Sequence, residues 1–309
     1  MNRGMTEAGA AIPVIVNASA GSGPDAGSTE AITRHFAAAG ATARVLAARR
    51  GAELPQLAHQ ALAEQPPIIV AGGGDGTVNC VAAALVGTET ALGVLPLGTL
   101  NHFAKDAGIP LELPEAVRTI VAGHVRRVDV GEVNGAIFLN NSSLGLYPHM
   151  VREREILRRR LGTAKWAAAA WATLTALHRG PLLDVRLRHA DADRHDRTPL
   201  VFIGNNEYVV EGFDLGGRER LDAGVLSLYV SRRRSRWALL GLALRALVGR
   251  LRQADDFDAT TAQSIVVESR RQQLPVATDG EVRQTDTPLR YRIRAGALRV
   301  VVPAPDAAE

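Results

Sequence analysis

The 309-residue sequence predicts an α/β domain with a parallel sheet, followed by an antiparallel β-sandwich. Three observations carry that prediction. The first 130 or so residues alternate short apolar runs with helical stretches, the pattern of a parallel sheet covered on both faces. Glycine-bearing or polar turns follow three of those apolar runs, where such folds bind ligands. From about Arg127 the helical spacing gives way to short strands separated by turns, the pattern of a sandwich or partial barrel. The expected domains are residues 1–130 and 131–309.

Taken in order, Ile12–Val16 reads as a strand, and Gly27–Ala39 as a helix stopped by Gly40. Thr42–Leu46 reads as strand, Leu54–Glu64 as helix, Ile68–Ala71 as a buried strand, Val78–Leu85 as helix and Ala91–Leu95 as strand. In the second half, Val128–Val133, Ala136–Asn140, Leu183–Arg188, Leu200–Gly204, Val225–Val230, Ser264–Glu268 and Arg290–Arg294 read as strands. Two helical interruptions are expected, at Arg152–Leu177 and Ser235–Leu251.

The run Gly72-Gly73-Gly74-Asp75-Gly76-Thr77 carries the most chemistry. A strand, a glycine turn and a helix leave backbone N–H groups free at the carboxyl edge of a sheet, where phosphate is well accommodated. Glycine lets the backbone approach closely and permits positive φ. Such a turn also occurs for packing alone. Two others point the same way: Asn17–Gly23 follows the first strand, and Pro96–Asn101 follows the strand at Ala91–Leu95. Three such turns on one sheet edge are far less expected by chance than one. Gly21-x-Gly23-x-x-Ala26 fits a dinucleotide fingerprint only loosely, because Arg49-Arg50 stand where an acid would grip a ribose. No GxxxxGK[ST] occurs, which excludes a P-loop.

Composition narrows the class further. A single cysteine, Cys80, excludes an internal disulfide and a cysteine zinc site, and the eight histidines show no metal-ligand spacing. The longest apolar stretch, Trp166–Leu177, is well short of the roughly 20 residues that span a bilayer. With no targeting segment in view, a cytoplasmic location is expected. Lys105 and Lys165 are the only lysines, so 34 of 36 basic residues (36 − 2) are arginine. They cluster at Arg152–Arg160 and Arg232–Arg236, as a solvated basic face or an attraction to anionic lipid headgroups. Aromatic content of 4% and no stacking motif make nucleic acid the weaker partner.

GGGDGT at 72–77, PLGTLNHFAK at 96–105, NASAGSG at 17–23 and Asp279-Gly280-Glu281 together resemble the diacylglycerol kinase/sphingosine kinase lipid-kinase superfamily, in its bacterial soluble form. Residues 138–145 and 204–206 resemble its strand signatures, so the resemblance covers nearly the whole chain. GGDGT alone is shared with NAD kinases and phosphofructokinases, whereas its combination with PxGTxN and DGE is specific. The resemblance implies a fold like that of NAD kinase and diacylglycerol kinase, an active site between two domains, ATP and Mg²⁺, and a lipid hydroxyl as acceptor. It places Asn17, Ser19 and Gly21 in a first nucleotide loop. Gly73, Gly74, Gly76, Thr77 and Asn79 would line the triphosphate, with Thr99 and Asn101 in the third turn. Asp75 would organise Mg²⁺ through water, with Asp129 in the same metal network. Asp279 would be the general base, with Glu281 beside it as a second catalytic carboxylate.

The chain departs from the family at two places. His102 stands where the family carries an acid. In Arg220-Leu-Asp-Ala-Gly224 an alanine, Ala223, occupies the position of a structural-metal acid, with Asp222 one residue early. A family lysine falls near Lys165. The expected partners are a lipid substrate, an anionic membrane met peripherally through the apolar, arginine-flanked run 237–248, and a second copy in a homodimer. An NAD kinase-like enzyme and a catalytically weak lipid-binding relative are the alternatives.

Overall fold

The computed structural model describes residues 10–17, 28–145, 182–190, 192–212, 214–231, 251–252 and 257–304. Ser19, Gly21, the expected helix at 152–177 with Lys165, and residues 232–250 with their arginines lie outside the described residues. The chain groups into two compact units, 1–130 with 295–309, and 131–294. Residues 295–309, expected with the second domain, therefore belong to the first. The physical reason is one long strand, β19 (Leu289–Val301), whose Val300 pairs in parallel with Leu92 in the first unit.

The first unit alternates β1 (Ile12–Asn17), α1 (Thr29–Ala38), β2 (Ala43–Ala48), α2 (Leu54–Ala63), β3 (Ile68–Gly73), α3 (Asp75–Leu85) and β4 (Ala91–Pro96). A short α4 (His102–Asp106), α5 (Leu113–Ala122) and β5 (Val125–Val133) follow. Its sheet is parallel in the order β2-β1-β3-β4. β3 and β4 are buried at every residue, as strands covered on both faces must be. Helix α1 packs on α5, and α2 on α3. Ser28 caps α1 by accepting the Ala31 N–H at 3.1 Å. Helix α5 opens on a proline and closes on Gly123 at φ +70, signals the sequence carries but the strand-and-helix reading passed over.

The second unit is the expected antiparallel sandwich. One sheet runs β15 (Phe257–Ala262), β13 (Leu226–Ser231), β10 (Leu200–Asn205), β7 (Asn141–Gly145), β17 (Gln273–Thr278) and β18 (Glu281–Asp286). The other holds the start of β19, then β16 (Ser264–Ser269), β8 (Leu183–His189) and β9 (Ala192–Thr198), with β6 (Ala136–Phe138) paired to β5. Leu144, Val201, Ile203, Leu228 and Val276 from the first meet Val185, Leu187, Ile265, Val267 and Tyr291 from the second in one core. β11 (Val209–Gly212), β12 (Asp214–Gly217) and β14 (Leu251–Arg252) form a small third sheet, so Leu251 is strand where helix was expected.

Candidate active site

The glycine run sits at the carboxyl end of β3, beside the ends of β1 and β4: Val16 pairs with Gly72, and Gly73 with Pro96. The glycines serve closeness rather than turning. None of Gly72, Gly73, Gly74 and Gly76 has positive φ, so the conformational reason expected for them does not apply. A Cβ on Gly73 would lie 2.5 Å from Thr77 Oγ1, and one on Gly72 would lie 2.8 Å from Val16 Cγ1. A Cβ on Gly98, in the turn after β4, would lie 2.4 Å from the Gly74 Cα. Two backbones touch there with no room for a side chain.

Helix α3 starts at Asp75, three residues before the expected Val78, with Gly74 as its N-cap. The Thr77 and Val78 N–H groups donate to the Gly74 carbonyl at 2.9 and 3.1 Å. Asp75 and Gly76 therefore open the helix, where N–H groups have no intrahelical acceptor and the helix dipole is positive. An 11-residue helix beginning inside a glycine turn is an anion cradle. Asp75 Oδ1 accepts the Phe103 N–H at 3.1 Å, which fixes the carboxylate across the two turns and leaves its other oxygen available. Thr77 is buried, and the Asn79 Oδ1 is shielded from solvent without a partner among the described residues.

Asn101 shapes the turn after β4. It is buried at φ +51; its amide donates to the Pro96 and Gly98 carbonyls at 3.1 and 2.9 Å, and its Oδ1 accepts the Gly98 N–H at 3.1 Å. Its polar atoms are spent on shaping the third turn, while Thr99 stands exposed at the tip. Asn17 ends β1. Asp129 is buried and accepts the Gly296 N–H at 2.8 Å. Among the described residues no three His, Cys, Asp or Glu side chains converge into a metal cluster. His102 is exposed at the start of α4. Asp222 pairs with Arg220 at 3.2 Å, and the Ala223 N–H donates to Asn206 Oδ1.

In the second unit, Asp279 and Gly280 turn β17 into β18 at φ +45 and +84, the geometry of a tight Asp-Gly hairpin. The half-buried Asp279 carboxylate reaches the chain between β6 and β7, where the expected strand Ala136–Asn140 is broken. Its Oδ2 accepts the Leu139 N–H at 2.7 Å, and its Oδ1 those of Asn140 and Asn141 at 2.9 and 3.0 Å. Burial pushes this carboxyl up to about 6, against the pull of those three N–H groups and of the Arg218 charge. Glu281 is exposed and pairs with Arg283 at 2.9 Å. The sequence reading missed Arg218. Buried, it donates to the Leu139 and Asn205 carbonyls at 2.6 and 3.0 Å and to Asn140 Oδ1 at 2.8 Å. No local signal marks it, since its partners lie 78, 79 and 13 positions away.

A helix opening inside a glycine turn at a parallel sheet's edge, joined in one chain to this sandwich, is the architecture of a kinase class. The family model of the diacylglycerol kinase catalytic domain matches residues 11–133, and that of the YegS C-terminal NAD kinase beta sandwich-like domain matches 144–302. The chain belongs to the diacylglycerol kinase-like lipid kinase superfamily. It is 34% identical over 256 residues to a "Probable lipid kinase YegS-like" of Pseudomonas savastanoi pv. phaseolicola, covering 81% of this chain and 80% of that one. A protein of the same name from Pseudomonas aeruginosa is 33% identical over 252 residues, 81% of each chain. A crystal structure from Bacillus anthracis str. Sterne superposes with a TM-score of 0.74 at 26% identity, over 95% of this chain and 97% of that one. A diacylglycerol kinase of the same strain gives 0.68 at 21%, a likeness of fold alone.

Proposed function

We propose that this chain is an ATP-dependent lipid kinase that transfers the γ-phosphoryl group to the hydroxyl of a diacylglycerol-like or sphingoid lipid, with Mg²⁺ as its metal. The observation that carries this reading is the contact between Gly74 and Gly98 at the N-terminus of α3, where the backbones leave Gly98 no room for a Cβ. Phosphoryl transfer asks for positioning and charge neutralisation more than for covalent chemistry. Gly73, Gly74 and Gly76 supply the first from the backbone beside the Thr77 side chain, and Asn79 offers an acceptor unspent among the described residues. Asp75, oriented by Phe103, is the group that would hold Mg²⁺ through water. The ion, when bound, supplies positive charge against the triphosphate. Asn101 acts by holding the third turn in shape.

The proton of the acceptor hydroxyl needs a carboxylate with lone pairs to give. A carboxylate has about four acceptor sites, and Asp279 spends three of them on backbone N–H groups. Glu281 spends its bonding on one exposed arginine. One acceptor site remains on Asp279, which is all a general base uses, and burial raises its carboxyl to about 6, so the base is assigned to Asp279, with Glu281 beside it on the same turn. The lipid is met at a bilayer surface, and no helix among the described residues is long and apolar enough to cross one.

Transfer from labelled ATP to diacylglycerol in mixed micelles tests this reading. Asp279→Asn is expected to lower kcat by about 10²–10⁴-fold. Asp279→Ala should lower activity and midpoint together. An Asp279→Asn enzyme with wild-type kcat removes Asp279 from the role of base.

A further inference from the structure

The Leu139–Asn141 segment has every peptide group committed. Its three N–H groups point to Asp279. On the other side the Leu139 carbonyl accepts from Arg218 at 2.6 Å and from the Asn205 amide at 2.8 Å, the Asn140 carbonyl accepts the Asn205 N–H at 2.9 Å, and the Asn141 carbonyl accepts the Asp279 N–H at 2.9 Å. A negative carboxylate on the donor side and a positive guanidinium on the acceptor side align with the peptide dipoles between them, so each charge strengthens the other's hydrogen bonds. Arg218 is 5% exposed and its guanidinium lies 5.4 Å from the centre of the Tyr208 ring, so it reaches this place from a packed, oriented position. Glycine packing keeps that position narrow: a Cβ on Gly204 would lie 2.7 Å from the Tyr208 ring.

We infer that Arg218 is a positioning residue for phosphoryl transfer: by clamping the carbonyl side of Leu139–Asn140 it fixes the segment that anchors Asp279, and so sets where that carboxylate meets the proton of the acceptor. The inference rests on the reading of Asp279 as the base. Arginine suits the task because its planar fork serves the Leu139 carbonyl and the Asn140 amide oxygen at once; a lysine carries the charge without the fork. Among the described residues the charge acting on the Asp279 carboxylate is that of Arg218, and Glu281, two residues along the same turn, has its charge paired with Arg283.

The test uses the full chain with Arg218→Met, Arg218→Lys and, in case the methionine variant fails to fold, Asn140→Ala, which removes one arm of the fork. Three quantities are read: kcat against the KM for ATP, amide hydrogen exchange at Leu139–Asn141, and the titration of the Asp279 carboxyl by NMR. For Arg218→Met, exchange at the three amides should quicken by about tenfold or more, and the Asp279 titration should move upward. Its kcat should fall by about 10–100-fold, with the KM for ATP within about twofold of wild type. Arg218→Lys should return the titration towards wild type and leave the exchange fast. Asn140→Ala should show the same changes at about a third of their size or less. Unchanged exchange and titration in Arg218→Met overturn the inference, as does wild-type kcat in a variant whose exchange has quickened. Should Asp279→Asn prove fully active, the base assignment fails by itself, while exchange and the wild-type titration still read whether Arg218 holds Asp279.

Discussion

Replacing Gly98 by alanine separates the cradle's geometry from its chemistry, because the substitution adds one methyl group and no charge. The added Cβ would lie 2.4 Å from the Gly74 Cα, 2.8 Å from Asn101 Oδ1 and 3.1 Å from the Gly74 nitrogen. Carbon atoms rest at about 3.5–4.0 Å, so the two turns must part by about 1 Å. No side chain can yield in their place, since the nearest atom belongs to backbone. The parting also pulls on Asn101, whose three hydrogen bonds hold the third turn. Overpacking of this kind costs about 1–3 kcal/mol of stability. A displacement of about 1 Å in a phosphate-positioning element is expected to lower kcat/KM by about 10²-fold. Steady-state transfer from ATP, with nucleotide affinity by calorimetry and thermal unfolding on the same samples, reads all three. Gly51→Ala is the control, since nothing lies within 4 Å of a Cβ there. Gly98→Ala with kcat/KM within about twofold of the control refutes the claim that this contact builds the site.

Four further outcomes are expected. Asp75→Asn keeps an oxygen for the Phe103 N–H and should unfold like wild type, while transfer falls by about 10²-fold or more; activity within threefold of wild type excludes Asp75 from the metal network. His102→Asp adds a carboxylate at an exposed helix start and should lower the Mg²⁺ concentration for half-maximal rate; an unchanged titration places residue 102 outside that network. Asp279→Ala removes the acceptor of three part-buried N–H groups and should cost about 1–3 kcal/mol by chemical denaturation. Because the folded state holds the Asp279 proton up to about pH 6 and the unfolded chain only to 3.8, this residue's contribution to stability is full below 3.8 and is lost as pH rises to 6. Unfolding across pH 4–6 should show that loss in wild type and lack it in Asp279→Ala. Replacing Arg232, Arg233, Arg234 and Arg236 by glutamine should weaken salt-sensitive binding to anionic vesicles, at about 1 kcal/mol per arginine; equal binding to neutral vesicles contradicts it.

The turns at 72–77 and 96–101 were legible because glycine and asparagine punctuate apolar runs, and apolar runs of four to six residues mark covered parallel strands; residues 18–23 of the first turn lie outside the described residues. The start of α3 was misread because Asp75-Gly76-Thr77 looks like a loop, although a helix N-terminus is where such residues belong. Strands β9 (ADRHDRT) and β18 (EVRQTD) were invisible for a reason of sheet physics: both are edge strands, rich in charge, with no buried face to impose alternation. β19 was cut short at Arg294 because its later residues answer to a second unit with its own core. At the candidate site, Asp279 could be named from the DGE motif, but its partners could not, since they lie 138–140 positions away. Arg218 illustrates the limit most plainly, as one of 36 basic residues whose role exists only once distant peptide groups converge on it.

The central claim is lipid phosphorylation by ATP, and one measurement meets it directly. The wild-type chain is incubated with γ-labelled ATP, Mg²⁺ and, separately, diacylglycerol, sphingosine, ceramide, phosphatidylglycerol, undecaprenol and NAD, and the label is followed into the organic and aqueous phases. The account predicts label in the organic phase with at least one lipid hydroxyl acceptor, absent with the Asp75→Asn variant and absent without Mg²⁺. Label appearing in NADP alone, with none in any lipid, contradicts it.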